Sequence, residues 1–161
     1  MADPRAIVEV NFEERYWYPE DGGQVWLAGF VPIDPVSGRW LANRAPELTD
    51  RGIHVVRVAG AAQHHADGLA SDEVEPGRPL VLRRDPDNEH DPNAIAVLTP
   101  AGEQVGWVPR ELAAEVAPEL DRGEPWSAIV MREQRPSPRD ARSGVTMMLA
   151  RAAEIELRVR A

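Results

Sequence analysis

No stretch of this chain stays apolar for long, and the points where each apolar run stops constrain the fold more than any other feature. Between residues 79 and 108 the order is PLVLRRD, the polar loop PDNEHDPN, AIAVLT, the turn PAGE, and QVGWVP. Short apolar runs bounded by Asp, Asn, Gly and Pro have the length of strands and are too brief for self-packing helices. The same reading applies to IHVVRVAG (53–60) and WSAIVMRE (126–133). Near the end, Ile155, Leu157 and Val159 alternate with Glu156, Arg158 and Arg160, the period of a half-buried strand. Helical spacing occurs in PRELAAEVAPELDRG: Pro109 starts it, Leu112, Val116 and Leu120 fall four apart, and Gly123 stops it. Pro118 lies inside that run and is expected to kink or restart its last turn. The expectation is a mainly β protein, a small, partly open β-barrel with one or two short helices.

The first part of the chain reads less clearly. AIVEVNF (6–12) and QVWLAGFVPI (24–33) look like strands, with RWL (39–41) as a hairpin partner after the turn DPVSG. Tyr16, Trp17 and Tyr18 suit packing of this segment onto the barrel. NRAPELTDRG (43–52) reads as a polar connector, so residues 1–52 are expected to be a β-rich extension and residues 53–161 the barrel domain. AAQHHADG (61–68) reads as a loop.

Length and composition narrow the function. The 161 residues suit one compact domain with an extension, and 43% hydrophobic content is enough for a core. No apolar run approaches the ~20 residues that span a membrane. The opening MADPRAIVEV lacks the basic-then-apolar pattern of a signal peptide, so a cytoplasmic protein with no membrane partner is expected. With no cysteine there is neither a disulfide nor a thiolate site. All 18 basic residues are arginine, a bias that suits a GC-rich genome. The net charge of −9 argues against coating a duplex by bulk charge, because that affinity comes from phosphate neutralisation. The charge is uneven: residues 1–50 carry nine acids and four arginines, net −5, whereas residues 131–161 carry seven arginines and four acids, net +3. Arg135, Arg139 and Arg142 fall in the Pro/Ser-containing loop QRPSPRDARSG and are expected on a solvated face that could follow a nucleic-acid backbone.

The loop around PDNEHDPN raises the sharpest question. Asp85, Asp87, Glu89 and Asp91 place four carboxylates in seven residues, with Asn88, His90 and Asn93 among them. One reading is structural: Asp and Asn side chains cap backbone groups around a tight, Pro-bounded turn, Asn88 and Asn93 holding its shape. A calcium loop is a poor fit, because the sixth position of that count is His90 rather than Gly and the twelfth is Ala96 rather than Glu. A zinc or manganese site drawn from His64, His65, Asp67, His90 and Asp91 has suitable N and O donors. It would make the chain a metal-dependent phosphoesterase. Nucleophilic catalysis has no support, with no Cys and no Gly-x-Ser-x-Gly elbow.

The order VRVAG, a polar loop, LVLRRDPDNEHDPNAIAV, then GEQVGWVPRELAAEVAPELDRG resembles the HIRAN family over about residues 53–160. That resemblance implies a modified OB-like β-barrel that binds single-stranded DNA, preferring a free 3′ end, in DNA repair or replication-fork processing. It implies a non-catalytic module without a cofactor, of the bacterial stand-alone type or working beside a helicase or nuclease partner. Matched by position, Asp91 faces the terminal 3′-hydroxyl and His90 stacks on a base. His64 and His65 stand where the family often has paired tyrosines, and Gln63 where an arginine can occur. Trp107 and Arg110 match pocket and backbone-contact positions, and Arg84 is expected with Arg110 to contact phosphates. The rival reading is a protein-interaction module in which residues 1–50 and the acidic surface dock the helicase or nuclease.

Overall fold

The computed structural model describes residues 6–12, 18–20, 25–32, 41–42, 44–137, 139–153 and 155–160. For the strands before Gly29, for Val31 and Pro32 and for the last strand, the backbone pairing alone is described. In chain order the elements are β1 Ala6–Phe12, β2 Tyr18–Glu20, β3 Val25–Pro32, α1 Pro46–Thr49, β4 His54–Arg57, α2 Ala61–His64 and α3 Ala66–Leu69. A 3-10 turn, Asp72–Val74, leads to β5 Pro79–Arg84, β6 Ile95–Leu98 and β7 Gln104–Trp107. Then come α4 Arg110–Asp121, β8 Trp126–Arg135, β9 Gly144–Arg151 and β10 Ile155–Arg160.

Strand β8 organises the barrel. One edge pairs with β9 along most of its length. The other edge is divided: Ala128 and Ile129 pair with β5, whereas residues 132–135 pair with β3. A register shift between Val130 and Arg132 marks where the strand passes from one set of partners to the other. The sheet thus runs β10-β1-β3-β8-β5-β6-β7, with β4 on the far edge of β9 and β2 on β3. All pairings are antiparallel except β1 with β10.

Both faces of β8 and β9 are buried over their middles, which is why AIVM (128–131) and MMLA (147–150) show no polar–apolar alternation. Ala128, Val130, Val145, Met147 and Leu149 face a main core with Val58, Leu69, Val97, Val105 and the apolar side of α4. Ile129, Met131, Met148 and Ala150 face a second core with Phe30, Leu48, Ile53 and Val55. Phe30 links β3 to that second layer.

Several expectations are corrected. The connector at 43–52 contains α1, whose Leu48 is buried in the second core. Residues 61–68 are not an open loop: they form most of α2 and α3, two single turns that meet at His65. Helix α4 continues through Pro118 to Asp121 as one element, and ends where Glu124 N–H returns to Glu119 O at 3.0 Å and Gly123 takes φ 85°. The lost N–H of Pro118 is outweighed there by burial of Leu112, Ala113, Val116 and Ala117. Of the three loop arginines expected on a solvated face, Arg139 is exposed, whereas Arg142 is only 7% exposed and bonds Glu133. Arg135 bonds Glu133 and Asp140 O. Tyr16, Trp17, Arg39 and Trp40 lie outside the described residues, and Leu41 packs partly buried against the second core.

Candidate nucleic-acid interface

The acidic loop between β5 and β6 is built by side chains that replace missing backbone partners. Asn88 is its hub. Its Nδ2 donates to Asp85 Oδ2 at 3.2 Å, and its Oδ1 accepts from the N–H groups of His90 and Asp91 at 2.9 and 3.1 Å. Asp91 Oδ1 accepts from Asn93 N–H at 2.9 Å. Asn93 therefore contributes its backbone where a shaping side chain was expected. Asp85 N–H closes the loop onto Ala94 O at 2.9 Å.

Arg84 clamps this loop from below. Its Nη1 donates to Ala94 O at 2.7 Å, its Nη2 to Pro92 O at 2.9 Å, and its Nε to Asp121 Oδ1 at 2.9 Å at the far end of α4. The side chain is 16% exposed. The expected phosphate donor is engaged in holding the loop to the helix.

Asp91 has a different environment. Its side chain is 17% exposed, one oxygen is tied to Asn93, and the other faces Arg110 Nε at 4.0 Å. Arg110 itself is 76% exposed at the start of α4. Pro109, the residue before the helix, offers no side-chain cap, so the first-turn N–H groups lie beside this cation. His90 is exposed, with its backbone N–H held by Asn88.

The histidines reach the same region from the other side. Trp107 and Ala59 exchange both backbone hydrogen bonds, at 2.8 and 2.9 Å, so the end of β7 is zipped to the start of the α2 turn. Gly106 permits this, because a Cβ there would meet Ala59 O at 2.5 Å and Val58 Cγ1 at 2.6 Å. Gly60 then turns the chain with φ 69°. Its α-carbon faces Trp107 Cδ1 and His64 Cδ2, 3.3 and 3.6 Å from where a Cβ would stand. His65 meets the edge of the Trp107 ring at a centroid distance of 6.3 Å. Burial pushes the His65 imidazole below its usual value and the neighbouring His64 adds to the effect, so the ring at Trp107 is neutral near pH 7. Gln63, His64 and Asp67 are exposed.

Two pairs thus come together, His64/His65 with Trp107 and Asp91 with Arg110, joined by the three-residue step from Trp107 to Arg110. The five candidate metal ligands do not gather: among the described residues no three His, Asp or Glu side chains form a group that could hold a metal ion. The glycines at 60 and 106 were not singled out as site residues, although VAG and VGW carry them in the sequence.

A small, partly open β-barrel, closed on one side by a single amphipathic helix and carrying aromatic rings beside an exposed cation and a half-buried carboxylate, has the form of an OB-like binding module. The HIRAN domain model matches residues 53–148, and the chain belongs to that family. Over 53 residues it is 47% identical to a Fanconi-associated nuclease 1 homolog of Oryza sativa subsp. japonica, a match that spans 31% of this chain and 6% of that relative. The crystal structure of the HIRAN domain of human HLTF is 24% identical, covers 63% of this chain and 78% of that one, and superposes with a TM-score of 0.45. The NMR structure of the same domain in its DNA-bound conformation is 25% identical, covers 63% and 77%, and gives 0.39.

Proposed function

We propose that this chain binds single-stranded DNA at a free 3′ end, without catalysis, in DNA repair or replication-fork processing. The observation that carries this reading is the Asp91–Arg110 pair. Its 4.0 Å separation leaves one carboxylate oxygen and an exposed guanidinium facing each other without a tight bond. A terminal sugar hydroxyl can donate to that oxygen while Arg110 takes the adjoining phosphate. A 3′-phosphate in the same place meets carboxylate repulsion. A terminal base stacks on Trp107 beside His64 and His65, with His90 exposed on the loop that carries Asp91, a contact that tolerates any base. Membership of the HIRAN family supports the ligand class.

The test is fluorescence anisotropy with a labelled strand of about ten nucleotides, a length that one OB-like fold can hold. Tighter binding of the 3′-hydroxyl strand than of its 3′-phosphate form is expected, with a shallow salt slope from the few phosphates neutralised. Equal binding of both removes the end-reading role of Asp91. No binding to either turns the interface toward the rival role, docking of a helicase or nuclease.

A further inference from the structure

Arg83 and Arg84 are consecutive in β5, and consecutive strand residues face opposite sides of a sheet. Arg84 is clamped into the loop and onto Asp121. Arg83 faces the other way, is exposed, and has neither an ion pair nor a side-chain hydrogen bond among the described residues.

The register shows what lies beside it. Arg83 is opposite Ala96 of β6, and Ala96 is opposite Trp107 of β7. Residues directly opposite in antiparallel strands project from the same face. Arg83, Ala96 and Trp107 therefore stand in one row across three strands. Their alternates Leu82, Val97 and Val108 turn inward to the main core, so this row lies on the outer face. Ala96, between Arg83 and Trp107, is only 2% exposed and Leu98 4%, so the accessible groups of this face are Arg83, Val81 and the partly exposed Trp107. The two ends are two strand spacings apart, roughly 10 Å. Val81, opposite Leu98, continues the face along β5 and is 44% exposed.

We propose that Arg83 holds a phosphate of the strand whose base lies at Trp107, so that the nucleic acid crosses the sheet from β7 to β5 and leaves along β5 past Val81. This rests on the reading of the interface as a single-strand binder. An exposed, unpaired cation in line with a stacking ring is the arrangement that tracks a backbone. Arg84 supplies a neighbouring arginine with a different task as a control.

The test is the salt dependence of anisotropy for wild type and Arg83→Gln, with thermal unfolding as a control on the fold. Loss of one phosphate contact lowers the slope of log affinity against log salt by about 0.7 on a single strand. Arg83→Gln is expected to show that drop and several-fold weaker binding, to the same degree on 3′-hydroxyl and 3′-phosphate strands, with unchanged melting. A wild type indifferent to the 3′ group but with an Arg83-dependent slope would keep this contact and remove the end reading. Wild-type binding with an unchanged slope and affinity in Arg83→Gln overturns the contact alone, and absence of wild-type binding overturns both.

Discussion

Two loops of this molecule look alike in sequence and use their charges in opposite ways. PDNEHDPN, between β5 and β6, and RPSPRDARSG, at the β8–β9 turn, are both polar, charged and proline-punctuated. In the second, Arg142 is 7% exposed and Glu133 8%, their atoms 2.6 Å apart, and Arg142 also donates to Leu69 O and Ser71 O. In the first, Arg110 approaches Asp91 only to 4.0 Å and is 76% exposed. The helix α4 repeats the contrast along its own length. Its C-terminal part is held by Arg151 on Glu119 at 2.6 and 2.9 Å and by Arg84 on Asp121, whereas its N-terminal end carries Arg110. Charges closed into tight pairs hold the fold, and the Arg142–Glu133 pair is the one among these that is desolvated on both sides. Those left loosely paired at a rim are available to a ligand.

The strongest way to break this contrast is Glu133→Ala. It leaves Arg142 buried without its carboxylate and is expected to cost about 3–5 kcal/mol in denaturant unfolding. A loss below about 1 kcal/mol would place this pair among ordinary surface pairs.

Next comes Glu119. The Arg151 guanidinium, bonded to both carboxylate oxygens, holds its pKa down to about 2 against an ordinary 4.5, with Glu124 and the Trp126 N–H helping and burial opposing. A carboxylate with a depressed folded-state pKa contributes stability that is complete above about pH 4.5 and lost as pH falls toward 2. Glu119→Gln should flatten the stability curve in that window. At neutral pH it should cost about 1–2 kcal/mol, a value reduced because Arg151 is 38% exposed and screened. An unaltered acid limb would show that the pair does not survive in solution.

Arg84→Ala separates the twin arginines. It removes hydrogen bonds to Ala94 O, Pro92 O and Asp121, and is expected to cost about 1–2 kcal/mol. It should also speed amide exchange at Asp85 and Ala94, read by NMR, while Arg83→Ala leaves both unchanged.

Much of the barrel was legible because strand period and turn chemistry agree locally. Asp, Asn, Gly and Pro bound β5, β6 and β7, and the helix spacing of Leu112 and Val116 outweighs Pro118. The parts that were not legible depend on partners distant in sequence. Four-residue helices such as α2 have too few residues for a period, and this one is set by Gly60 and the close approach at Gly106. RR at 83–84 shows that the two arginines diverge, but only the register identifies which of them stands in line with Trp107. Arg142 reads as loop charge until the chain places it against Leu69 O, 73 residues away. Asp91, Trp107 and Arg110 were reached through the family likeness, and composition alone would have left Asp91 as one acid among four.

Arg110→Ala is the smallest change to the fold and the most informative about the interface. A cation that is 76% exposed and 4.0 Å from its carboxylate contributes little to stability, so unfolding is expected to shift by no more than about 0.5 kcal/mol. Binding should move in the other direction. Loss of its phosphate contact is expected to weaken single-strand affinity and lower the salt slope by about 0.7, the effect on affinity shrinking as salt rises. Since Asp91 keeps its bond to Asn93 N–H, the loop should hold its shape and the carboxylate should still reject a 3′-phosphate. Paired measurement of melting and salt-dependent anisotropy decides the case. A variant that melts early while binding unchanged would put Arg110 with the structural charges, and the contrast between the two loops would fail at the residue where it matters for function.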